Sequence, residues 1–358
     1  VVAVAFFPVL EVPMSIPSRS VDPFHALPVV DVSALYGSDP LRIEQTVSAL
    51  RRAASDVGFL YVTNHGVSAQ RISDLEHVAQ EFFALPARTK EEYYIGRSSN
   101  HRGYVPPGEE VFYSQTRDTK EAFDLSRELP EADYGAAGRF LGPNVWPREV
   151  PRFRQVVSAY YESVFDLGHK LLAAFAQALE LPASYFDRYL QRPTSQLRLI
   201  HYEPTVVGEN TTGIGAHTDY ECLTLLHATS PGLQVINGAG QWVEAPPLPG
   251  AFVVNIGDLL EVWSNGVFVS TSHRVLSVPA PRYSFPLFFT VDYETEVEPL
   301  PHLSRDGKRY PPVIAGEHLL AQTMQSFRYL IDQRAQGLVS LPDGSRELSS
   351  FGRERQAR

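Results

Sequence analysis

Leu197-Arg-Leu-Ile-His-Tyr202, Gly215-Ala-His217, Leu223-Thr-Leu-Leu226, Leu233-Gln-Val-Ile236, Gln241-Trp-Val243, Ala251-Phe-Val-Val-Asn-Ile256, Val267-Phe-Val269, His273-Arg-Val275 and Tyr283-Ser-Phe-Pro-Leu-Phe-Phe289 follow one another between Gln196 and Tyr293. Each is a short β-rich run, and Gly, Pro and Asn separate them. Short strands at this density make a sandwich, jelly roll or barrel. Residues 196–293 are therefore read as a jelly-roll core.

Outward from that core the pattern turns helical. Leu27-Pro-Val-Val-Asp-Val32 reads as a first strand. Asp39 then stands before Pro40, a capping side chain ahead of a proline at the first helical position. Ile43, Val47, Leu50, Ala54 and Val57 recur at helical spacing, and Gly58 ends the run. Phe59-Leu-Tyr-Val62 is a second strand, and a second helix runs from about Ser68 to a stop at Pro86. Residues 97–150 are rich in Gly, Pro and charge and read as a long loop region, a place where function concentrates. A strong helix follows from about Arg152 to Leu181, ended by Pro182, and a last one spans about Ala315 to Arg334. No linker divides the chain. The expected organisation is a leader over 1–20 outside the fold, one domain over 21–335, and a polar tail over 336–358. The fold class is mainly β with surrounding α-helices.

Composition narrows the partners. The chain is 44% hydrophobic and 11% aromatic, ample for a packed core in 358 residues. It carries 31 Lys+Arg against 41 Asp+Glu, a net charge of -10. A nucleic-acid binder needs a basic footprint, and none is visible, so a small-molecule substrate is favoured. The single cysteine, Cys222, excludes an intrachain disulfide and suits a cytoplasmic protein. No apolar run reaches the length of a membrane span, so no membrane partner is expected. A monomer is expected.

The candidate chemistry starts from two His-x-acid pairs, His201-Tyr-Glu203 and His217-Thr-Asp219. Roughly 1.3 such pairs arise by chance at this composition, so the pattern alone is weak. Context separates them: His217 follows Gly213-Ile-Gly-Ala216, where a strand leaves a tight glycine segment, whereas Glu203 precedes Pro204. Residues i and i+2 of an extended segment point the same way, so His217 and Asp219 can meet one metal. A non-haem iron(II) centre asks for two imidazoles and one carboxylate with open positions opposite. The third ligand must come from a distant strand, and His273, which begins a β-run after Ser270-Thr-Ser272, is the candidate. A lone histidine is ordinarily a hydrogen-bonded core or surface residue, so the reading needs a second motif. Arg282-Tyr-Ser284 supplies it: a guanidinium fork and a hydroxyl on one strand face suit a carboxylate, with the Tyr202 hydroxyl as an additional donor.

His217-x-Asp219, His273 and Arg282-x-Ser284 together resemble the iron(II)/2-oxoglutarate dioxygenases, and more closely their isopenicillin N synthase-like branch. Leu27-Pro-Val-Val-Asp31, Val57-Gly-Phe-Leu-Tyr-Val-Thr-Asn-His-Gly66 and the Leu-Arg-Leu run ending at Tyr202 add to the likeness, which covers about residues 27–335 in order. The resemblance implies a double-stranded β-helix with Fe(II) on His217, Asp219 and His273. It implies 2-oxoglutarate as co-substrate, its far carboxylate held by Arg282 and Ser284 with Tyr202 nearby and Arg198 in support. O2 is then the other co-substrate, succinate and CO2 are products, and ascorbate is a candidate reductant. Gly213-Ile-Gly-Ala-His-Thr-Asp-Tyr220 and Gly103-Tyr-Val-Pro-Pro-Gly-Glu-Glu110 also resemble the bacterial ethylene-forming enzyme, which lacks a serine at the position of Ser284; that departure ranks ethylene formation lower. The isopenicillin N synthase kind of oxidase shares the Arg-x-Ser pair yet needs no 2-oxoglutarate.

The expected activity is oxidation of a small polar metabolite. Tyr104, Glu109, Glu110 and Tyr220 are candidate substrate contacts, as are Arg117 and Lys120 in the loop region. Cys222 reads as a packing residue, and Trp263, Asn265 and His65 as structural. A non-catalytic metal-binding jelly roll and a zinc hydrolase are the readings from other classes, and neither has a use for the Arg282/Ser284 pair.

Overall fold

The computed structural model describes residues 23–111, 120–128, 130–134, 140–204, 212–277 and 279–345. The expected leader over 1–20, Arg117 and the tail beyond 345 lie outside the described residues.

Local chemistry sets the first elements. Strand β1 (Val29–Asp31) leads into helix α1 (Pro40–Asp56), where the Asp39 carboxylate accepts from the backbone N–H of Leu41 and Arg42 ahead of Pro40. Gly58 follows α1 at φ +76, a left-handed turn that feeds β2 (Phe59–Thr63). A Cβ at Gly58 would lie 2.1 Å from the Val269 carbonyl oxygen. Gly58→Ala therefore combines a strained backbone with a backbone clash and is expected to cost about 3 kcal/mol or more. Urea denaturation checks it, and an unchanged midpoint would mean that the turn is not tightly held. Helices α2 (Ala69–Phe83) and α3 (Ala87–Glu91) follow, α2 capped by the Ser68 hydroxyl accepting from Arg71 N–H.

Two further strands, β3 (Gly103–Val105) and β4 (Lys120–Ser126), precede the long helix α4 (Phe153–Ala178). Beyond it come β5 (Gln196–Tyr202), β6 (Thr212–His217), β7 (Leu223–Ala228), β8 (Leu233–Ile236), β9 (Trp242–Glu244) and β10 (Ala251–Ile256). Then follow α5 (Asp258–Trp263), β11 (His273–Leu276), β12 (Arg282–Phe289), β13 (Glu296–Val297), β14 (Val313–Ile314), α6 (Ala315–Ser326) and α7 (Arg328–Ala335).

Eight strands form one sheet in the order β1-β2-β10-β7-β12-β5-β4-β3, and four form a second in the order β6-β11-β8-β9. The two sheets make the jelly-roll sandwich. The large sheet sorts its side chains with a period of two. On β12, Phe285, Leu287 and Phe289 enter the core beneath α1, α2 and α4, whereas Arg282, Ser284, Pro286 and Phe288 line the cavity between the sheets. On β5, Leu197 and Leu199 take the helix side, and Gln196, Arg198, Ile200 and Tyr202 the cavity side.

Three expectations are corrected. The region 97–150 is not all loop: β3 and β4 extend the large sheet beyond β5, so the sheet recruits β1 to β4 as well as strands of 196–293. β4 escaped notice because both of its faces carry charge: Lys120 and Asp124 on one, Glu121 on the other. Val267–Val269 is no strand, and the preceding segment forms α5, whose six residues are too few for helical periodicity to show. The last helix is broken at Phe327, which is extended (ψ 128) between α6 and α7. Hydrogen bonds from Arg328 N–H and Tyr329 N–H to the Glu109 carbonyl and carboxylate, and from Val111 N–H to Ser326 O, replace the helical ladder at the break.

Candidate active site

The antiparallel register of β6 and β11 pairs His217 directly with His273, and their ring centroids are 4.3 Å apart. Asp219, two residues beyond His217, places Oδ1 3.6 Å from His217 Nε2 and 3.5 Å from His273 Nε2. One donor atom from each residue lies within 4.8 Å of the others, the one such group of His, Cys, Asp and Glu among the described residues.

The surroundings aim each ligand atom. His217 Nδ1 lies 2.8 Å from the Gly215 carbonyl and His273 Nδ1 3.3 Å from the Thr271 carbonyl. Each Nδ1–H donates to its carbonyl, leaving both Nε2 lone pairs toward the shared centre. Asp219 Oδ2 accepts from Asn255 Nδ2 at 2.8 Å and from the Thr224 hydroxyl, which leaves Oδ1 facing the imidazoles. Burial, with the neighbouring His273, pushes the His217 imidazole down to about 4, so it is neutral near pH 7, the form that ligates. Burial would raise the Asp219 carboxyl, but His273, His217 and the hydrogen bonds from Thr224 and Asn255 outweigh it and hold the group below its usual range.

One strand pair carries the second feature. Arg282 on β12 faces Tyr202 on β5, and its guanidinium lies 4.8 Å over the Tyr202 ring. Nε donates to the Ser230 carbonyl at 3.1 Å, while Nη1 is buried with no hydrogen-bond partner among the described residues. Ser284, on the same face, is buried as well. A buried guanidinium with an orphaned N–H is costly unless a ligand completes it, and a carboxylate matches its fork.

The far end of the cavity is charged. Arg198 lies four residues along β5 from Tyr202, roughly 13 Å away at strand rise. Its Nε and Nη2 grip the Asp124 carboxylate at 2.7 and 2.6 Å, and its Nη1 reaches Glu110, which Lys120 also contacts. Burial would raise the Glu110 carboxyl, but Arg198 and Lys120 together hold it down to about 2. A carboxyl depressed from 4.5 stabilises the fold fully above that value and loses the contribution as pH falls from 4.5 toward 2. Denaturation midpoints of the wild type should therefore fall through this window. Glu110→Gln should flatten the fall, and an equally steep profile in the variant would remove Glu110 as its source.

A family model described as "non-haem dioxygenase in morphine synthesis N-terminal" matches residues 27–149, and that of the 2OG-Fe(II) oxygenase superfamily matches residues 193–291. A homoarginine-6-hydroxylase of Arabidopsis thaliana is 35% identical over 327 residues, covering 86% of this chain and 90% of the relative. The chain belongs to the 2OG-Fe(II) oxygenase superfamily. Within it, the oxygenase falls in the isopenicillin N synthase-like branch. It is similar to a 2OG-Fe(II) oxygenase family protein from Caulobacter crescentus, at TM-score 0.73 and 32% identity over 88% of this chain and all of that one. It is likewise similar to a full-length Neurospora crassa protein crystallised in complex with alpha-KG, at TM-score 0.73 and 27% identity over 90% of this chain and all of that one. The protein is an Fe(II)- and 2-oxoglutarate-dependent oxidoreductase. The donors present fit both groups: two imidazoles and a carboxylate suit Fe(II), and the orphaned Arg282 N–H suits a dicarboxylate.

In the oxygenase, Glu110 and Tyr220 line the cavity with the metal trio, Arg282, Ser284, Tyr202 and Arg198. Tyr104 and Glu109 do not, contrary to expectation. Tyr104 sits on the helix face of β3, where its hydroxyl donates to Glu121 at 2.7 Å, because the strand period carries it away from the cavity. Glu109 anchors the start of α7 instead. Arg198 is placed at the charged end, engaged by Asp124 and Glu110, and not beside Arg282 as expected. Asn255, Thr224, Asp124 and Glu221 escaped the sequence reading. The alternation of β7 signalled Thr224, but nothing local marks the others. Cys222 is fully buried, consistent with packing. No helix among the described residues is long and apolar enough to cross a membrane.

Proposed function

We propose that this oxygenase oxidises a small polar metabolite, of the size of an amino acid, by hydroxylation or a related two-electron step coupled to conversion of 2-oxoglutarate to succinate and CO2. His217, Asp219 and His273 hold the iron, and Arg282 with Ser284 and Tyr202 holds the far carboxylate of 2-oxoglutarate. The observation that carries this reading is the buried Nη1 of Arg282, which has no partner among the described residues and lies in the same cavity as the His-Asp-His trio. Bound Fe(II) and 2-oxoglutarate supply the activation of O2. The chain's own groups do the rest. Asn255 and Thr224 fix the Asp219 carboxylate, and the Gly215 and Thr271 carbonyls fix the imidazoles. Phe59, Leu226 and Phe288 make the surrounding wall apolar, which limits water around the reacting centre. Glu110, Lys120 and Arg198 give the far wall a polar end at which a substrate can be oriented, and Tyr220 lines the same cavity. The homoarginine hydroxylase relative supports an amino-acid-sized substrate.

A metabolite-library screen for substrate-stimulated succinate, with ascorbate in the assay, tests the reading. Ethylene in the headspace at yields comparable to succinate, without an oxidised co-substrate, would overturn it. We also propose a cytoplasmic monomer whose working unit is one domain over 21–335. The shared sheets and the single buried cysteine support that organisation.

A further inference from the structure

His217 ends β6 and His273 opens β11, and strand pairing aligns the two. Asp219 lies past the end of β6, so that pairing does not place it. Its segment must be registered by other contacts against the chain that leads into His273.

One buried residue touches both segments. Asp258, at the start of α5, donates its backbone N–H to the Asp219 carbonyl at 2.9 Å. Its side chain turns to the other segment, where Oδ1 accepts from the Ser270 hydroxyl at 2.9 Å. The next residue, Thr271, supplies the carbonyl that orients the His273 imidazole, and its own hydroxyl donates to the Val57 carbonyl at 2.7 Å. The neighbours of Asp258 hold the first contact in register. Gly257 N–H donates to Cys222 O at 2.9 Å, and Leu259 N–H to Glu221 O at 3.1 Å. A Cβ at Gly257 would stand 2.2 Å from the Glu221 carbonyl oxygen, so this close approach needs glycine. The second carboxylate oxygen, Oδ2, lies 3.2 Å from His318 Nε2 on α6, the helix whose Leu319, Thr323 and Ser326 line the cavity. Asp258, Ser270 and His318 do not themselves line it. Buried hydrogen-bond networks of this kind fix geometry at a distance, and partners behind a metal ligand tune its hold on the ion.

We propose that Asp258 is a positioning residue for the metal centre. It ties the Asp219 segment to the Ser270-Thr271 turn that aims His273, and so sets the separation of carboxylate and imidazole. The inference rests on His217, Asp219 and His273 as the iron ligands, and extends that assignment to a residue that touches neither metal nor substrate.

The test reads metal binding by the folded protein, without turnover. Fe(II) affinity is measured anaerobically by competition with a chelator, and the visible spectrum of the Co(II)-loaded protein reports the donor geometry. A denaturation curve of the metal-free protein accompanies each variant. Ser270→Ala should weaken Fe(II) binding about tenfold and alter the Co(II) spectrum, and Asp258→Ala should go at least as far, within the roughly 10–100-fold that supporting partners command. Asp258→Asn keeps an oxygen for the Ser270 hydroxyl and should stay within about threefold of the wild type, with its spectrum. A merely structural role would lower the denaturation midpoint of Ser270→Ala but leave its affinity and spectrum unchanged. That result overturns the proposal, even where Asp258→Ala does not fold. An Asp258→Asn variant as weak as Asp258→Ala also overturns it, because charge and not the hydrogen bond would then be the cause. A wild type that binds neither Fe(II) nor Co(II) sinks the ligand assignment itself, a failure distinct from the others.

Discussion

Asp219→Ala is expected to abolish Fe(II) binding and turnover together while leaving the chain folded. Its Oδ1 sits 3.6 and 3.5 Å from the two Nε2 atoms and is the anionic donor of the trio. Without it, two imidazoles remain to hold a dication, and the Asn255 amide and Thr224 hydroxyl lose their acceptor. Disturbing such supporting partners alone commonly lowers metal affinity about 10–100-fold, so loss of the ligand itself should exceed that. His217→Ala and His273→Ala should act in the same direction. The fold should survive because the trio stands at the ends of β6 and β11, while the main core lies on the other side of the large sheet. Metal analysis after desalting, with a denaturation curve on the same samples, is the measurement. Three variants that retain iron as the wild type does would falsify the ligand assignment.

Arg282→Ala should raise the apparent KM for 2-oxoglutarate at least about tenfold. A charge-assisted, bidentate contact in a desolvated site is worth about 2–3 kcal/mol, and about 1.4 kcal/mol is already a factor of ten. The guanidinium is held from behind by the Ser230 carbonyl and from the side by the Tyr202 ring, so the fork is pre-aimed. Arg282→Lys keeps the charge without the fork and should recover only part of the loss. An unchanged KM in the alanine variant would assign the pair to a substrate carboxylate, as in a 2-oxoglutarate-independent oxidase.

Much of this site is legible in sequence because strands translate spacing into geometry. Arg282 and Ser284 share a face simply because they are two apart, and both lie on the cavity side of β12. His217 and Asp219 meet for a related reason, although β6 ends between them. What is not legible comes from register and from distant chain. Nothing near His217 announces that β11 will pair His273 with it. Asn255 reaches Asp219 from 36 residues away, and Asp124 reaches Arg198 from 74. The same blindness explains Tyr104 and Glu109. Their motif was visible, but which face they take depends on how β3 and β4 join the sheet and where α7 begins. The short runs of 196–293 announced most of the jelly roll, whereas β4, charged on both faces, hid among loop-like residues.

The position of β4 at the outer flank of the large sheet has a consequence for how the cavity can be altered. Lys120 and Asp124 belong to this strand, whereas His217, Asp219, His273 and Arg282 come from a later, contiguous stretch of the chain. Among the described residues only β3 lies outside β4 in that sheet. Alteration of this flank therefore reaches the charged end of the cavity without touching the strands that carry the metal trio.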